Sequence, residues 1–330
     1  MQVLEKAWQL REDLGIFNES DAVRIFHGPG DGAQSGAENG DGVLKNFAID
    51  RFNDFYWITQ WETSVGQHRD SALKEGLATI LQFLKKKGAV GVSGLNRPQK
   101  GIPAEATVFS GHPPSDRVLV QEFGLKFWIQ LQGARHPGLF LDHLPLRLWL
   151  KKHSAGLRVL NTFAYTGSLS VAAGAGGATH VTTLDLSKPS IQWAQDNWSL
   201  NHLSDQKSRF IYGDVFEWMP RLKKQGEQYD CVILDPPSFS HGKKGQFSTA
   251  KDLERLHLLA FELLAPGGYL ITSINSANVS WKSYEGQVFA ASQKAKREAI
   301  VLKKISLPET FPTELGRDEE QYLKGWILKV

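Results

Sequence analysis

Leu157-Arg-Val-Leu-Asn-Thr-Phe-Ala-Tyr-Thr-Gly-Ser168 is the stretch on which the fold turns. An apolar run of strand character, Arg158 to Phe163, enters a turn with a single glycine, and an apolar helix, Ser168 to Ala175, leaves it. The same alternation continues downstream. Strands are predicted at His180 to Leu186, Arg209 to Tyr212, Asp230 to Leu234, Tyr269 to Ile274, Val301 to Ser306 and Tyr322 to Lys329. Helices fall between them at Lys188 to Asn201, Val215 to Lys224, Thr249 to Leu264 and Trp281 to Ala299, and another runs from Gly138 through Lys152. Strands alternating with helices predict a doubly wound α/β sheet. Three of the strands end on Asp185, Asp214 and Asp235. In such a sheet the ligand lies outside the carboxyl ends of the strands, so these carboxylates face it.

The first turn separates the candidate ligands. A dinucleotide needs Gly-x-Gly-x-x-Gly there, so that pyrophosphate can approach the backbone and the helix amino terminus. Here Gly167 stands alone, and Gly174, Gly176 and Gly177 come only at the far end of the helix, which argues against a nicotinamide-dependent oxidoreductase. One glycine suffices for a phosphate-free ligand whose amino-acid part lies along the turn, and S-adenosylmethionine is such a ligand. Asp185, 18 residues beyond Gly167, is placed to accept both ribose hydroxyl protons, a role compatible with capping the helix that follows. Asp214 is placed either to meet the adenine amino group or to cap its own helix.

Asp235-Pro236-Pro237-Ser238-Phe239 follows the strand beside the switch point of the sheet. Pro236 holds Asp235 out of helical conformation, and successive prolines leave rigid carbonyls with no N–H of their own. This acceptor-rich rim suits a flat substrate whose ring atom is to be aimed at a methyl donor, with Phe239 as a stacking face. Asp235 fits either of two roles, base or orienting acceptor.

Composition narrows the remaining classes. The chain has 330 residues, 41% of them hydrophobic, and a formal net charge of +3, enough for two domains and compatible with a polyanionic partner. No apolar run approaches the roughly 20 residues of a membrane-spanning helix, and no signal peptide is visible, so a cytoplasmic protein is expected. Cys231 is the single cysteine; with no Cys-rich or His-Glu-x-x-His pattern, no metal site is expected. Its place within a strand reads as a small buried hydrophobe.

Residues 1–115 read as a smaller α+β domain and residues 116–330 as the larger one. The first contains a helix at Leu4 to Leu14, strands at Val23 to Phe26, Phe47 to Arg51 and Phe55 to Trp61, a helix at Ser71 to Lys87 and a strand at Ala89 to Gly94. The glycine-rich Gly28 to Gly42 has no periodicity and reads as a mobile surface loop, and it lacks the Gly-Lys-Ser/Thr ending of a P-loop. Arg97 to Asp116, rich in proline, reads as a linker or long loop, and Val118 to Glu122 with Lys126 to Leu131 as a hairpin about Phe123-Gly124.

At these residues the chain resembles the class I S-adenosylmethionine-dependent methyltransferases, and within them the bacterial branch that modifies large-subunit (23S) ribosomal RNA at guanine N7 or cytosine C5. The shared strings are Asn161-Thr-Phe-Ala-Tyr-Thr-Gly-Ser168, Thr183-Leu-Asp-Leu-Ser187, Asp235-Pro-Pro-Ser-Phe239 and Gly138-Leu-Phe-Leu-Asp-His143. The resemblance implies a Rossmann-like seven-stranded sheet, S-adenosylmethionine as cofactor and RNA as partner. It assigns Asn161, Phe163, Ala164, Tyr165, Gly167, Asp185, Leu186, Ser187, Asp214, Val215 and Asp235 to the cofactor, with Phe140 and Asp142 added from the lead-in segment. Asp235, Pro236, Pro237 and Phe239 become the catalytic rim. Many relatives in that branch begin with a PUA domain, which this chain is expected to lack.

The C5-cytosine members use a thiolate placed just after the fifth strand, where this chain reads Ser273-Ile-Asn-Ser-Ala-Asn278. Nitrogen methylation is therefore expected, with guanine N7 favoured because its lone pair needs neither nucleophile nor deprotonation. Lys243 and Lys244, just after the rim, are expected to contact RNA phosphates. DNA or a protein side chain as acceptor, and a noncatalytic RNA-binding assembly factor, are the competing readings.

Overall fold

The computed structural model describes residues 1–33, 41–61, 67–97, 106–242, 245–276, 279–315 and 322–330. The chain divides into two compact units, Met1–Asp142 with Leu307–Glu320, and His143–Ser306 with Gln321–Val330. The division falls later than residue 115, because the hairpin over residues 118–129 keeps company with the first unit and a segment near the carboxyl terminus returns to it.

In the first unit, helix α1 (Gln2–Asp13) precedes strands β1 (Ala22–His27), β2 (Phe47–Phe52) and β3 (Phe55–Trp61). Helix α2 (Gln67–Lys86), strands β4 (Gly91–Arg97) and β5 (Ala106–Gly111), and the hairpin β6 (Val118–Glu122) and β7 (Leu125–Ile129) follow. The five-stranded sheet has the order β1-β2-β3-β4-β5. β3 and β4 are parallel, which requires the α2 crossover; the other pairs are antiparallel. Leu73, Ile80, Phe83 and Leu84 of α2 and Val3, Leu4 and Ala7 of α1 pack with Ile25, Phe47, Ile49 and Ile58 of the sheet.

Two expectations for this unit are corrected. The stretch over residues 97–116 is not simply a linker, since β5 within it pairs with β4; its half-exposed residues show no period-2 burial that a sequence could advertise. The described part of the glycine-rich loop is a packed turn: Gly28–Asp31 forms a 3-10 helix with Gly28 buried. A side chain at Gly30 would collide with the Pro312 carbonyl. Residues 34–40 lie outside the described residues.

The turn is fixed by charge as well as packing. Fully buried Arg11 grips Asp31 with two guanidinium nitrogens, and also donates to the carbonyls of Ala7, Arg24 and Thr310 at 3.1, 3.0 and 2.7 Å. Arg24 forks onto Asp50, meets His27 Nδ1 at 2.8 Å and lies 4.3 Å over the Phe311 ring. Burial, reinforced by Arg24 and Arg11 and opposed by Asp142, lowers the His27 pKa to about 3, so this imidazole is neutral.

The second unit carries helix α3 (Leu144–His153), β8 (Arg158–Thr162), α4 (Ser168–Ala175), β9 (His180–Asp185), α5 (Lys188–Leu200), β10 (Ser208–Tyr212), α6 (Val215–Lys224) and β11 (Tyr229–Leu234). A short hairpin, β12 (Phe239–Gly242) and β13 (Gly245–Ser248), leads to α7 (Thr249–Leu263), β14 (Leu264–Asn275), α8 (Trp281–Ala295), β15 (Ile300–Lys304) and β16 (Leu323–Lys329). The lead-in helix starts later than Gly138, at Leu144 with Pro145 in its first turn, after a 3-10 turn at Leu141–His143.

The seven strands run β10-β9-β8-β11-β14-β16-β15, and only β16 is reversed. The order turns back at β8, so the crevice between the β8 and β11 connections is the switch point at which such sheets bind ligands. Leu160, Leu184, Val232, Leu234 and Leu270 of the sheet pack with Met219, Leu222, Leu256, Phe261 and Val288 of α6, α7 and α8. Both faces are covered, which explains why the strands read as continuous apolar runs.

Candidate active site

Strand register brings the carboxylates to one level. Leu184, Thr162 and Leu234 are paired across β9, β8 and β11, so Asp185, Phe163 and Asp235 occupy the next position on three adjacent strands. Tyr212 of β10 pairs with Asp185 itself, which sets Gly213 and Asp214 just beyond.

The turn after β8 has unusual backbone geometry. Phe163, Tyr165 and Gly167 all have positive φ, at 52°, 50° and 75°. For two aromatic residues this conformation is strained, and such strain concentrates where a ligand is held. At Gly167 a Cβ would also stand 2.7 Å from the Ala194 Cβ, so glycine is required by the approach of α5 as well as by φ. From below, buried Asn161 donates through Nδ2 to Ser170 Oγ at 2.9 Å, and Thr183 Oγ1 donates to the same oxygen at 2.8 Å. These bonds tie β8 and β9 to the first turn of α4. Ala164 is buried, and its N–H donates to the Leu184 carbonyl at 3.2 Å.

Asp185 is held by main chain alone among the described residues. Its two oxygens accept from the N–H groups of Tyr165 and Ser187, each at 2.8 Å. Every carboxylate oxygen has a further lone pair, so both can still accept from a diol. Burial raises the Asp185 pKa against the lowering effect of the two N–H donors. The neighbouring Tyr165 phenol is pushed up to about 12 by burial and by Asp185, so it stays protonated at neutral pH. Leu186 is half-buried between Asp185 and Ser187, whose Oγ accepts from Ser190 N at 3.3 Å and caps α5. Asp214 caps α6 through Phe216 N at 2.8 Å, and Val215 is buried behind it.

At the end of β11, Pro236 is buried and Pro237 exposed, so one proline seats the rim and the other presents it. Asp235 Oδ1 accepts from Ser273 Oγ at 2.6 Å, and Oδ2 lies 3.4 Å from His143 Nδ1. Ser238 Oγ donates to the Asn275 carbonyl at 2.9 Å, fastening the rim to the end of β14. Phe239 begins β12, and only its backbone is described. Lys243 and Lys244 lie outside the described residues. Phe140 and Asp142 belong to the first unit, where Phe140 stacks on His136 at 4.0 Å and is 42% exposed while Asp142 is buried.

Three contributors were not singled out from sequence. The sequence offers His143 only as the end of a string and Ser273 only within the fifth strand and the Ser273 to Asn278 stretch, and gives no sign of Gly213. A side chain at Gly213 would collide with the Trp218 indole. The available signal was Thr272-Ser273, two hydroxyls inside an otherwise apolar strand.

This donor set fits an adenosyl sulfonium: a carboxylate for the ribose, a glycine turn free of pyrophosphate demands, and a carboxylate at the rim. Among the described residues no group of His, Cys, Asp or Glu is arranged for a metal ion, and no helix is long and apolar enough to cross a membrane. Fold and site together define a class I methyltransferase.

The comparisons agree. The family model for S-adenosylmethionine-dependent methyltransferases matches residues 94–313, and the chain belongs to that family. It is 30% identical over 295 residues, 89% of this chain and 73% of the relative, to ribosomal RNA large subunit methyltransferase I of Aeromonas salmonicida. It is 41% identical over 196 residues, 58% of this chain and 25% of the relative, to ribosomal RNA large subunit methyltransferase K/L of Hahella chejuensis. A crystal structure of a protein described as a methyltransferase in complex with SAH superposes with TM-score 0.84 at 25% identity, over 100% of this chain and 80% of that one. The protein is thus an S-adenosylmethionine-dependent methyltransferase.

Proposed function

We propose that the methyl acceptor is large-subunit ribosomal RNA and that the methylated atom is a base nitrogen, guanine N7. The carrying observation is the chemistry of the rim. Methylation at carbon C5 of cytosine needs a thiolate to add to the ring, and the single cysteine, Cys231, is wholly buried in β11 with its pKa raised by burial. The end of β14 offers Ser273, Asn275 and Ser276 instead. The names of the relatives support RNA as the acceptor.

When bound, S-adenosylmethionine supplies a methyl group on a positively charged sulfur. Asp185 would hold its ribose, the Phe163 to Gly167 turn would enclose it, and Asp214 with Val215 would border the adenine. Asp235, Pro236, Pro237 and Phe239 present the acceptor base. A ring nitrogen with a free lone pair needs no activation, so alignment along the carbon–sulfur axis supplies most of the rate. Lys243 and Lys244 contact backbone phosphates, and the first unit helps present the RNA.

Tritium transfer from labelled cofactor into ribosomal RNA, followed by mass mapping, tests the reading. Label in a guanine is expected; label in DNA or protein instead, or in cytosine, overturns it. Failure to label any acceptor while binding cofactor favours the noncatalytic assembly factor. If the lysines hold phosphates, raising salt weakens RNA binding steeply, and replacing both with Ala flattens that slope by about 2.

A further inference from the structure

We infer that Asp235 is an orienting acceptor rather than a proton-taking base, and that Ser273 and His143 are the positioning residues that hold it so. The inference rests on the proposed ring-nitrogen acceptor.

Ser273 is wholly buried on β14, and Asp235 stands at the end of the adjacent strand β11. The serine hydroxyl gives its proton to Oδ1 at 2.6 Å. That bond uses one lone pair of Oδ1 and fixes the plane of the carboxylate, so the group is aimed as an acceptor. The second oxygen lies 3.4 Å from the Nδ1 of His143, a buried residue at the N-cap position of α3. A helix start is the electropositive end of the helix, a suitable setting for a carboxylate oxygen. Ser238 closes the frame by bonding the Asn275 carbonyl, so rim and β14 move as one piece. Asp235 keeps 24% of its side chain accessible, enough to meet a base edge.

This arrangement matches the electron flow at a ring nitrogen. The nitrogen lone pair forms the new bond to the methyl carbon, the carbon–sulfur bond breaks with its electron pair going to sulfur, and the positive charge passes from sulfur to the purine. No proton leaves in that step. As the ring becomes cationic its N–H groups become stronger donors, so a carboxylate that accepts from them binds more tightly in the transition state than in the ground state. Asp235 then serves as an acceptor throughout, with the Ser273 hydroxyl bonded to one oxygen and His143 beside the other.

The test uses the full chain with ribosomal RNA. Ser273→Ala and His143→Ala are each expected to lower kcat by about 10- to 100-fold, with cofactor Kd by calorimetry within twofold of wild type. Ser273→Thr keeps the hydroxyl and His143→Asn keeps a nitrogen near the Nδ1 position, and each is expected to recover most of the loss. Single-turnover rates in D2O should equal those in H2O. Both Ala variants turning over at the wild-type rate would overturn the assignment. So would a loss that the conservative variants fail to recover, a matching loss of cofactor affinity, or a clear solvent isotope effect with a proton in flight. If wild-type protein labels no ribosomal RNA, the acceptor reading fails instead, and the two failures are told apart.

Discussion

Two carboxylates, Asp31 with its side chain buried in the first unit and half-buried Asp185 in the second, are handled in opposite ways. Asp31 is enclosed by the Arg11 guanidinium, whose remaining N–H groups go to backbone carbonyls. Asp185 has no cation beside it among the described residues and is steadied by two main-chain N–H groups. A carboxylate neutralised by a fully engaged arginine is structural, because nothing is left for a ligand to add. One oriented by neutral dipoles keeps spare lone pairs, which suits the proposed contact with ribose hydroxyls. The difference separates a packing charge from a binding charge without reference to sequence similarity.

The largest effect expected from this contrast is on the packing side. Asp31→Ala leaves the Arg11 guanidinium buried without its counterion, and urea denaturation should show a loss of about 3 to 5 kcal/mol. A loss below about 1 kcal/mol would mean that the pair is not what holds the turn. Next comes Asp235→Ala, expected to lower methyl transfer to ribosomal RNA by at least about a hundredfold while calorimetry shows cofactor binding retained; unchanged turnover would remove Asp235 from the rim.

Asp185→Ala should weaken cofactor binding by about 30-fold, the equivalent of a hydrogen-bonded charge worth roughly 2 kcal/mol. Its stability effect should be small. Because burial raises the Asp185 pKa above 3.8, the favourable protonated state is fully present below that value and is lost as pH rises through the folded pKa. Ionisation at neutral pH is therefore less favourable in the fold than in the unfolded chain, and calorimetric melting of the ligand-free variant should show a much smaller loss than Asp31→Ala.

The smallest effect is a slope. His27 is neutral in the fold down to about 3 but titrates near 6.5 when unfolded. Below 6.5 the unfolded chain takes up a proton that the folded chain refuses, so the stability due to the neutral ring is complete above 6.5 and is lost as pH falls toward about 3. Unfolding free energy should drop by about 1.4 kcal/mol per pH unit within that window, and His27→Gln should flatten it. An identical slope in the variant would assign the acid sensitivity to carboxylates.

Sequence carried most of the second unit because its logic is local. The central strands β8, β9 and β11 are buried on both faces and advertise themselves as apolar runs, and Asp185, Asp214 and Asp235 lie at a strand end or within two residues of one. Ser273 and His143 were opaque because they reach Asp235 only through strand pairing and a helix start, across separations of 38 and 92 residues. β5 was missed because a half-exposed edge strand has no alternation to read. The return of residues 307–320 to the first unit was equally hidden. That segment has no periodicity, and its anchors are contacts such as the Thr310 carbonyl on Arg11 and Phe311 beneath Arg24, which link the two ends of the chain.

The central claim is that the strand ends after β8, β9 and β11 form one cofactor site. The direct measurement is a crystal structure of the protein soaked with S-adenosylhomocysteine. Density is expected along the Phe163 to Gly167 turn, with the ribose hydroxyls on the Asp185 carboxylate and the sulfur facing Asp235 to Pro237. Density elsewhere, or none at saturating ligand, would contradict the account.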